Sequence, residues 1–366
     1  MVHKNNSSGR TSPRRNVLLA LAAFVIVIAG IRAAEAILVP FLIALFLAVI
    51  CYPVILWFSR KGIPVWAGVL VLVGVIILLE MALASLIGSS VTSFSRNVPL
   101  YQARLKNVYV DIVLWLESHG IEKMDPVKEF DPTSIMPIAA TMLRQLAGLL
   151  KNTFFVLITL IFILFEAGGI SAKLQAVFMG REDTLDNYAK ILGGVNRFLG
   201  IKTLTSAATG ILVATWLIIL GVDYPLLWGV VAFLLNYIPT IGSIIAAVPA
   251  LLLALVQLGP TAMGVCAVGY FIINITISNF IEPRFMGDGV GLSALVVFLS
   301  MAFWGWVLGP AGMLLSVPLT MSVKIAASAN PRMEWVAIML GSNAEAHAIL
   351  SRAAKERKRG KGKDLN

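Results

Sequence analysis

Residues 236–249 read NYIPTIGSIIAAVP, breaking one of the most apolar parts of the chain with an asparagine, two prolines, a glycine and two hydroxyls. They sit inside 225–257, a run of 33 positions that would measure about 50 Å as unbroken helix. That is too long for one upright crossing of a hydrocarbon core about 30 Å thick, and too short for two crossings and a turn. A second run, 292–325, has 34 positions and meets the same difficulty. The two interruptions match: Pro239-Thr240-Ile241-Gly242 followed by Val248-Pro249, and Gly309-Pro310-Ala311-Gly312 followed by Val317-Pro318. Proline removes an amide hydrogen and clashes with the preceding turn, and glycine adds backbone freedom. Each run therefore reads as two half-helices joined by unwound backbone, arranged as a re-entrant hairpin or a kinked span. The matched pattern and the awkward lengths favour hairpins.

Outward from these runs the chain is uniformly greasy. Of its 366 residues, 58% are hydrophobic and 13% charged, about half the charged fraction of a soluble domain. Further apolar spans lie near 17–33, 36–58, 65–88, 152–169, 203–221 and 260–281. The expected fold is an all-α polytopic membrane protein of about eight hydrophobic segments, two of them broken. The start, a basic leader with a 15-residue apolar run and AAEA at 33–36, has the outline of a cleaved signal peptide. A second hydrophobic stretch follows at once, which favours an uncleaved first span.

The net charge of +10 is concentrated at the ends. Lys4, Arg10, Arg14 and Arg15 precede the first span; Arg352, Lys355, Arg357, Lys358, Arg359, Lys361 and Lys363 follow the last. Short basic segments stay in the cytoplasm, which puts both termini inside and makes membrane lipid, not nucleic acid, the expected partner. The expected organisation is a basic N-terminus (1–16), three spans (17–88), an amphipathic extracytoplasmic segment (89–151), a fourth span (152–169), a cytoplasmic connector (170–202), a transport core (203–327) and a basic tail (328–366). Within 89–151, Leu105, Val108, Ile112 and Leu116 recur at helical spacing. In the connector, Tyr188, Leu192, Val195 and Leu199 form a stripe suited to the membrane interface or to packing.

Unwound backbone survives in a membrane only where it is buried in protein or lines water, so paired interruptions point to a solute path. Asn236, Thr240, Ser243, Asn274, Ser278 and Asn279 offer hydrogen bonds there, with Trp304 and Trp306 as amphipathic rings. Ionisable groups at membrane depth default to function, and Glu80, well inside the third span, is the leading candidate for proton or ion coupling. Glu166, Asp223 and Glu282 lie at span ends. Glu282-Pro283-Arg284 reads as an unwound junction, and Glu282 is a second coupling candidate. Cys51 and Cys266 both fall within spans, and the three histidines lie apart outside them. No disulfide framework, metal site, cofactor motif or catalytic cluster emerges.

NYIPTIGSIIAAVP together with NFIEPRFMGDGVGLSALVVFLSMAFWGWVLGPAGMLLSVPLTMSVKI (279–325) resembles the autoinducer-2 exporter family of bacterial inner-membrane proteins, nearest to its quorum-signal transporters. The resemblance runs from about residue 16 to 330 and is most specific over 225–325. It implies export of a small polyhydroxylated signalling molecule by a homo-oligomer, a pentamer, with an elevator-like motion of the broken segments. The family's motif positions fall on Asn236, Pro239, Gly242, Pro249, Glu282, Pro283, Arg284, Gly309, Pro310, Gly312 and Pro318. Asp288 stands where the family more often has a basic residue, and the tail after residue 350 is outside the family pattern. Some relatives are associated with sodium–proton antiport, so a Na+(Li+)/H+ antiporter is the alternative to an exporter.

Overall fold

The computed structural model describes residues 13–119, 137, 140–141, 143–144, 148, 152–177, 182–239, 241–286, 291–328, 333–343, 345–347 and 350–351. Thr240, Asp288, the stretch 120–136, and the basic residues before Pro13 and after Ser351 lie outside that set. Within it every regular element is helical: α1 (Pro13–Ala33), α2 (Glu35–Arg60), α3 (Val65–Ser118), α4 (Thr153–Val177), α5 (Glu182–Leu220), α6 (Pro225–Leu235), α7 (Ile241–Leu258) and α8 (Pro260–Ile275). A π-helical turn (Thr276–Ile281) then leads into α9 (Glu282–Met286), α10 (Ala294–Ser328) and α11 (Glu334–Leu340). Six of the helices are long and apolar enough to cross a membrane, with shorter apolar pieces at Leu21–Ala33, Thr153–Gly169 and Pro225–Leu235. Large apolar side chains such as Leu78, Phe162, Ile219 and Phe271 face outward, the arrangement a lipid solvent favours. The chain is an all-α polytopic membrane protein.

Both broken runs fold back on themselves. At the first, α6 and α7 meet at a tight turn, and the two ends of the run are tied together. The backbone N–H of Asp223 donates to Gln257 Oε1 at 3.0 Å, and Gln257 Nε2 returns a bond to the Asp223 carboxylate. Residues 34 apart in sequence could not touch in a kinked span; this is hairpin 1. At the second, α10 breaks at Leu308 and Gly309. Trp304 Nε1 donates to Thr320 Oγ1 across the break at 3.0 Å, and Lys324 Nζ donates to the Gly291 carbonyl. This is hairpin 2. The rod from Pro260 to Phe285, 26 residues or about 39 Å, runs from the base of one hairpin to that of the other. The hairpins therefore enter from opposite ends, tips inward.

The largest buried cluster gathers around Trp228, with Phe94, Leu217, Leu253 and Met301. A second joins α2, α3 and α4 through Ala44, Val69 and Leu160. A third packs Phe198 and Leu199 of α5 against Leu292 and Val317 of hairpin 2. The connector's apolar stripe, at Val195 and Leu199, thus meets protein. Helix α3 continues past residue 88 to Ser118 without a break, and its extension grips the base of hairpin 1. Asn97 Nδ2 donates to Tyr224 Oη at 3.0 Å, Tyr101 Oη donates to Asp223 Oδ2 at 3.1 Å, and Phe94 lies edge-on to Trp228. Tyr224, between α5 and α6, sits in the left-handed region at φ 58, a conformation costing roughly 1–2 kcal/mol that its neighbours must hold in place.

Candidate functional site

Each hairpin tip depends on a glycine in its returning arm. A Cβ on Gly242 would stand 1.8 Å from the Leu235 carbonyl oxygen, and one on Gly312 would stand 2.0 Å from that of Trp304. No side chain fits either space. Gly309, with φ +62 and ψ −154, turns hairpin 2 through a conformation reserved for glycine. Pro310 then begins the second arm, where a missing N–H costs nothing. At the tip of hairpin 1, the Ile238 N–H donates to the Leu235 carbonyl and the Gly242 N–H to the Ile238 carbonyl, and Asn236 Nδ2 donates to Ser206 Oγ of α5 at 3.0 Å. Asn236 and Ser206 are both buried.

Between hairpin 1, α5, α8 and the flank of hairpin 2 lies a cavity of about 730 Å³, within the range of small-molecule sites. Hairpin 1 contributes Asn236, Pro239 and Ser243, and hairpin 2 contributes Val297 and Val317. The most polar wall is the rod: Tyr270, Asn274, Ser278 and Glu282 line the cavity, four residues apart, and so share one helical face. Asn274 Nδ2 is occupied by the Tyr270 carbonyl at 2.9 Å. Asn274 Oδ1 and Tyr270 Oη are buried with no protein partner among the described residues. Unsatisfied buried groups are costly and call for an explanation; here both belong to residues of the cavity wall.

At one end of this stripe Glu282 pairs with Lys202 of α5 and accepts a bond from Thr205 Oγ1 at 3.0 Å. The expected unwound junction at Glu282-Pro283-Arg284 is instead helical, and the irregularity lies one turn earlier. In the π turn the Glu282 N–H reaches back to the Ile277 carbonyl. Proline clashes with the carbonyl four residues before it; for Pro283 that is Asn279, inside the widened turn. The π turn absorbs the proline and the helix continues.

Of the residues singled out from sequence, the cavity brings together Asn236, Pro239, Ser243, Asn274, Ser278, Asn279 and Glu282. Gly242, Gly309, Pro310 and Gly312 shape the hairpin tips, and Pro249 and Pro318 lie inside the returning arms. Pro283 and Arg284 are exposed on α9. Trp304 braces hairpin 2, and Trp306 is exposed, with the Arg32 guanidinium 5.0 Å above its ring. Glu80 is absent from the cavity wall: Thr153 Oγ1, at the start of α4, donates to its carboxylate at 3.1 Å. Glu166 pairs with Lys173 at an exposed site. Sequence reasoning missed Lys202, Tyr270 and Ser206. The four-residue polar period on the rod, and a lysine inside an apolar span, were the signals for the first two.

The family model for AI-2E family transporters matches residues 21–332. The chain belongs to that family. A Haemophilus influenzae protein provisionally named a transport protein is 39% identical over 335 residues, covering 88% of this chain and 95% of its own. The AI-2 transport protein TqsA of Escherichia coli K12 is 36% identical, covering 88% and 95%. YhhT of the same strain, also provisionally named a transport protein, is 33% identical over 89% and 94%. Like other members of the AI-2E family, the chain is a multi-pass transport protein and not an enzyme.

Proposed function

We propose that this AI-2E family member is a secondary exporter of a small neutral polar signalling molecule, autoinducer-2, and so acts in quorum sensing. The observation that carries the reading is the polar stripe on the rod, where Tyr270 Oη and Asn274 Oδ1 lie buried without a protein partner among the described residues. A polyhydroxylated solute supplies hydroxyl donors for Asn274 Oδ1 and both donors and acceptors for Tyr270 Oη. Neutral amides and hydroxyls dominate the polar lining, which suits an uncharged solute, and similarity to TqsA supports the choice of molecule. On this reading solute moves through a bacterial inner membrane past two hairpins entering from opposite sides. Both termini face the cytoplasm, by the concentration of lysine and arginine at the chain ends. The assembly is a homo-oligomer, a pentamer by family resemblance.

The antiport reading has less support, because Glu80, its leading coupling candidate, sits at the α3–α4 contact and not on the cavity wall. Signal partitioning decides between them: deleting the gene should raise intracellular autoinducer-2, and re-expression should lower it. Unchanged partitioning, combined with sodium- or lithium-driven dissipation of a pH gradient in everted vesicles, would replace export with antiport.

A further inference from the structure

Among the residues lining the cavity, the charged ones are Lys202 and Glu282. Their side chains are 6% and 15% exposed. Burying two ions costs about as much as their attraction returns, so such a pair is poor evidence of a stabilising role. Ionisable groups at membrane depth instead mark pathways and proton relays.

Glu282 follows directly on the π turn, and π turns concentrate at functional sites. Helix α9 beyond it is tied to α5 by this pair and by Arg197 Nη2, which donates to the Phe285 carbonyl at 3.0 Å. Losing the charge on Glu282 would loosen α9 from α5 at the edge of the cavity.

We propose that Lys202 and Glu282 form the proton-coupling site of this transporter, an inference that rests on the export reading. A proton from cavity water binds a Glu282 carboxylate oxygen, converting the neutral pair into an ammonium beside an uncharged carboxylic acid. The proton leaves to the opposite side when the pair re-forms. Lys202 keeps its own proton throughout and acts as a positioning residue. The site thus carries one extra positive charge in one half of the cycle, and one proton crosses per turn against the solute.

Among the described residues, the titratable groups around the pair are few. Helix α5 adds Arg197, α9 adds the exposed Arg284, and the rod adds the Tyr270 phenol. Hairpin 1 brings Tyr237, whose Oη donates to Thr203 Oγ1 at 2.8 Å. Among the described residues, hairpin 2 brings Val297 and Val317 to the cavity wall.

The test uses the full chain in liposomes, with autoinducer-2 on one side and a pH-sensitive dye, and infrared titration of the detergent-solubilised protein. Wild type should move protons opposite to the solute, and Glu282→Gln should lower the proton-to-solute ratio more than about tenfold, whatever flux remains. Lys202→Met should change the pH dependence of transport, and Lys202→Arg, which keeps the charge, should leave it as in wild type. On acidification, wild type should show a carboxylic-acid carbonyl band that Glu282→Gln lacks. Solute movement with no accompanying protons, or a band that persists in Glu282→Gln, overturns the proposal and leaves export standing. No movement of autoinducer-2 by wild type overturns the export reading, while the infrared band still decides whether the pair takes up a proton.

Discussion

Hairpin 1 and hairpin 2 share one plan and differ in what they present. Each nests a glycine of the returning arm against a carbonyl of the leading arm, Gly242 on Leu235 and Gly312 on Trp304. Each has its ends tied together, by Asp223 with Gln257 and by Lys324 with Gly291. At the cavity they part. Hairpin 1 offers the amide of Asn236 and the hydroxyl of Ser243, whereas hairpin 2 offers two valines. The tip of hairpin 2 turns instead toward the α1–α2 corner, where Arg32 lies over Trp306 and a Cβ on Gly309 would come within 3.2 Å of the Glu35 carboxylate. The same backbone device thus serves two ends: one hairpin brings polar groups to the cavity wall, and the other supplies an apolar flank.

The strongest break in that comparison is at the glycines. Gly242→Ala and Gly312→Ala should each cost about 3 kcal/mol or more, since the obstacle is backbone that cannot swing aside. Thermal unfolding of purified protein would read this, with Gly74→Ala, which has open space around it, as the unaffected control. If only the hairpin 1 variant were destabilised, the common plan would be wrong. Next is Asn236→Leu, which strands the buried Ser206 hydroxyl and should cost about 1–3 kcal/mol together with most of the solute affinity. Tyr270→Phe should separate the two effects. Stability should hold or rise slightly, because an unpaired buried hydroxyl is removed, while solute affinity weakens by about fivefold, or roughly 1 kcal/mol. Trp304→Phe should do the opposite, lowering stability by about 1 kcal/mol through the lost bond to Thr320 with affinity unchanged. Smallest of all, Glu80→Gln should leave solute affinity as it is, since Thr153 and not the cavity holds that side chain.

Both hairpins were legible from length and from Pro/Gly spacing, because those features act locally on the backbone. Asn236, Ser243 and Glu282 could be picked out as polar groups in greasy surroundings. The Lys202–Glu282 pair could not, since its members lie 80 positions apart and their meeting is set by how α5 packs on the rod. Tyr270 escaped notice because an aromatic within an apolar helix reads as core; only the arrangement of its neighbours leaves its hydroxyl without a partner. Glu80 shows the converse. Depth within a span marked it as a coupling candidate, yet its carboxylate lies at the α3–α4 contact away from the cavity wall, with one oxygen bonded to Thr153 and the other buried without a partner among the described residues. The π turn was masked by Pro283, whose usual effect is to end a helix.

The central claim is that hairpin 1 borders a space open to water and solute, whereas the interior of hairpin 2 does not. Thiol accessibility tests it most directly. Single cysteines at Ser243, on the cavity wall, and at Ser316, fully buried in hairpin 2, would be exposed to a water-soluble thiol reagent. Cys51 and Cys266, both buried, would be replaced by alanine. Ser243→Cys should react, and autoinducer-2 should slow the reaction, while Ser316→Cys stays inert in the folded protein. Equal reactivity at both positions, or no reaction at Ser243→Cys with the protein correctly inserted, would contradict the account.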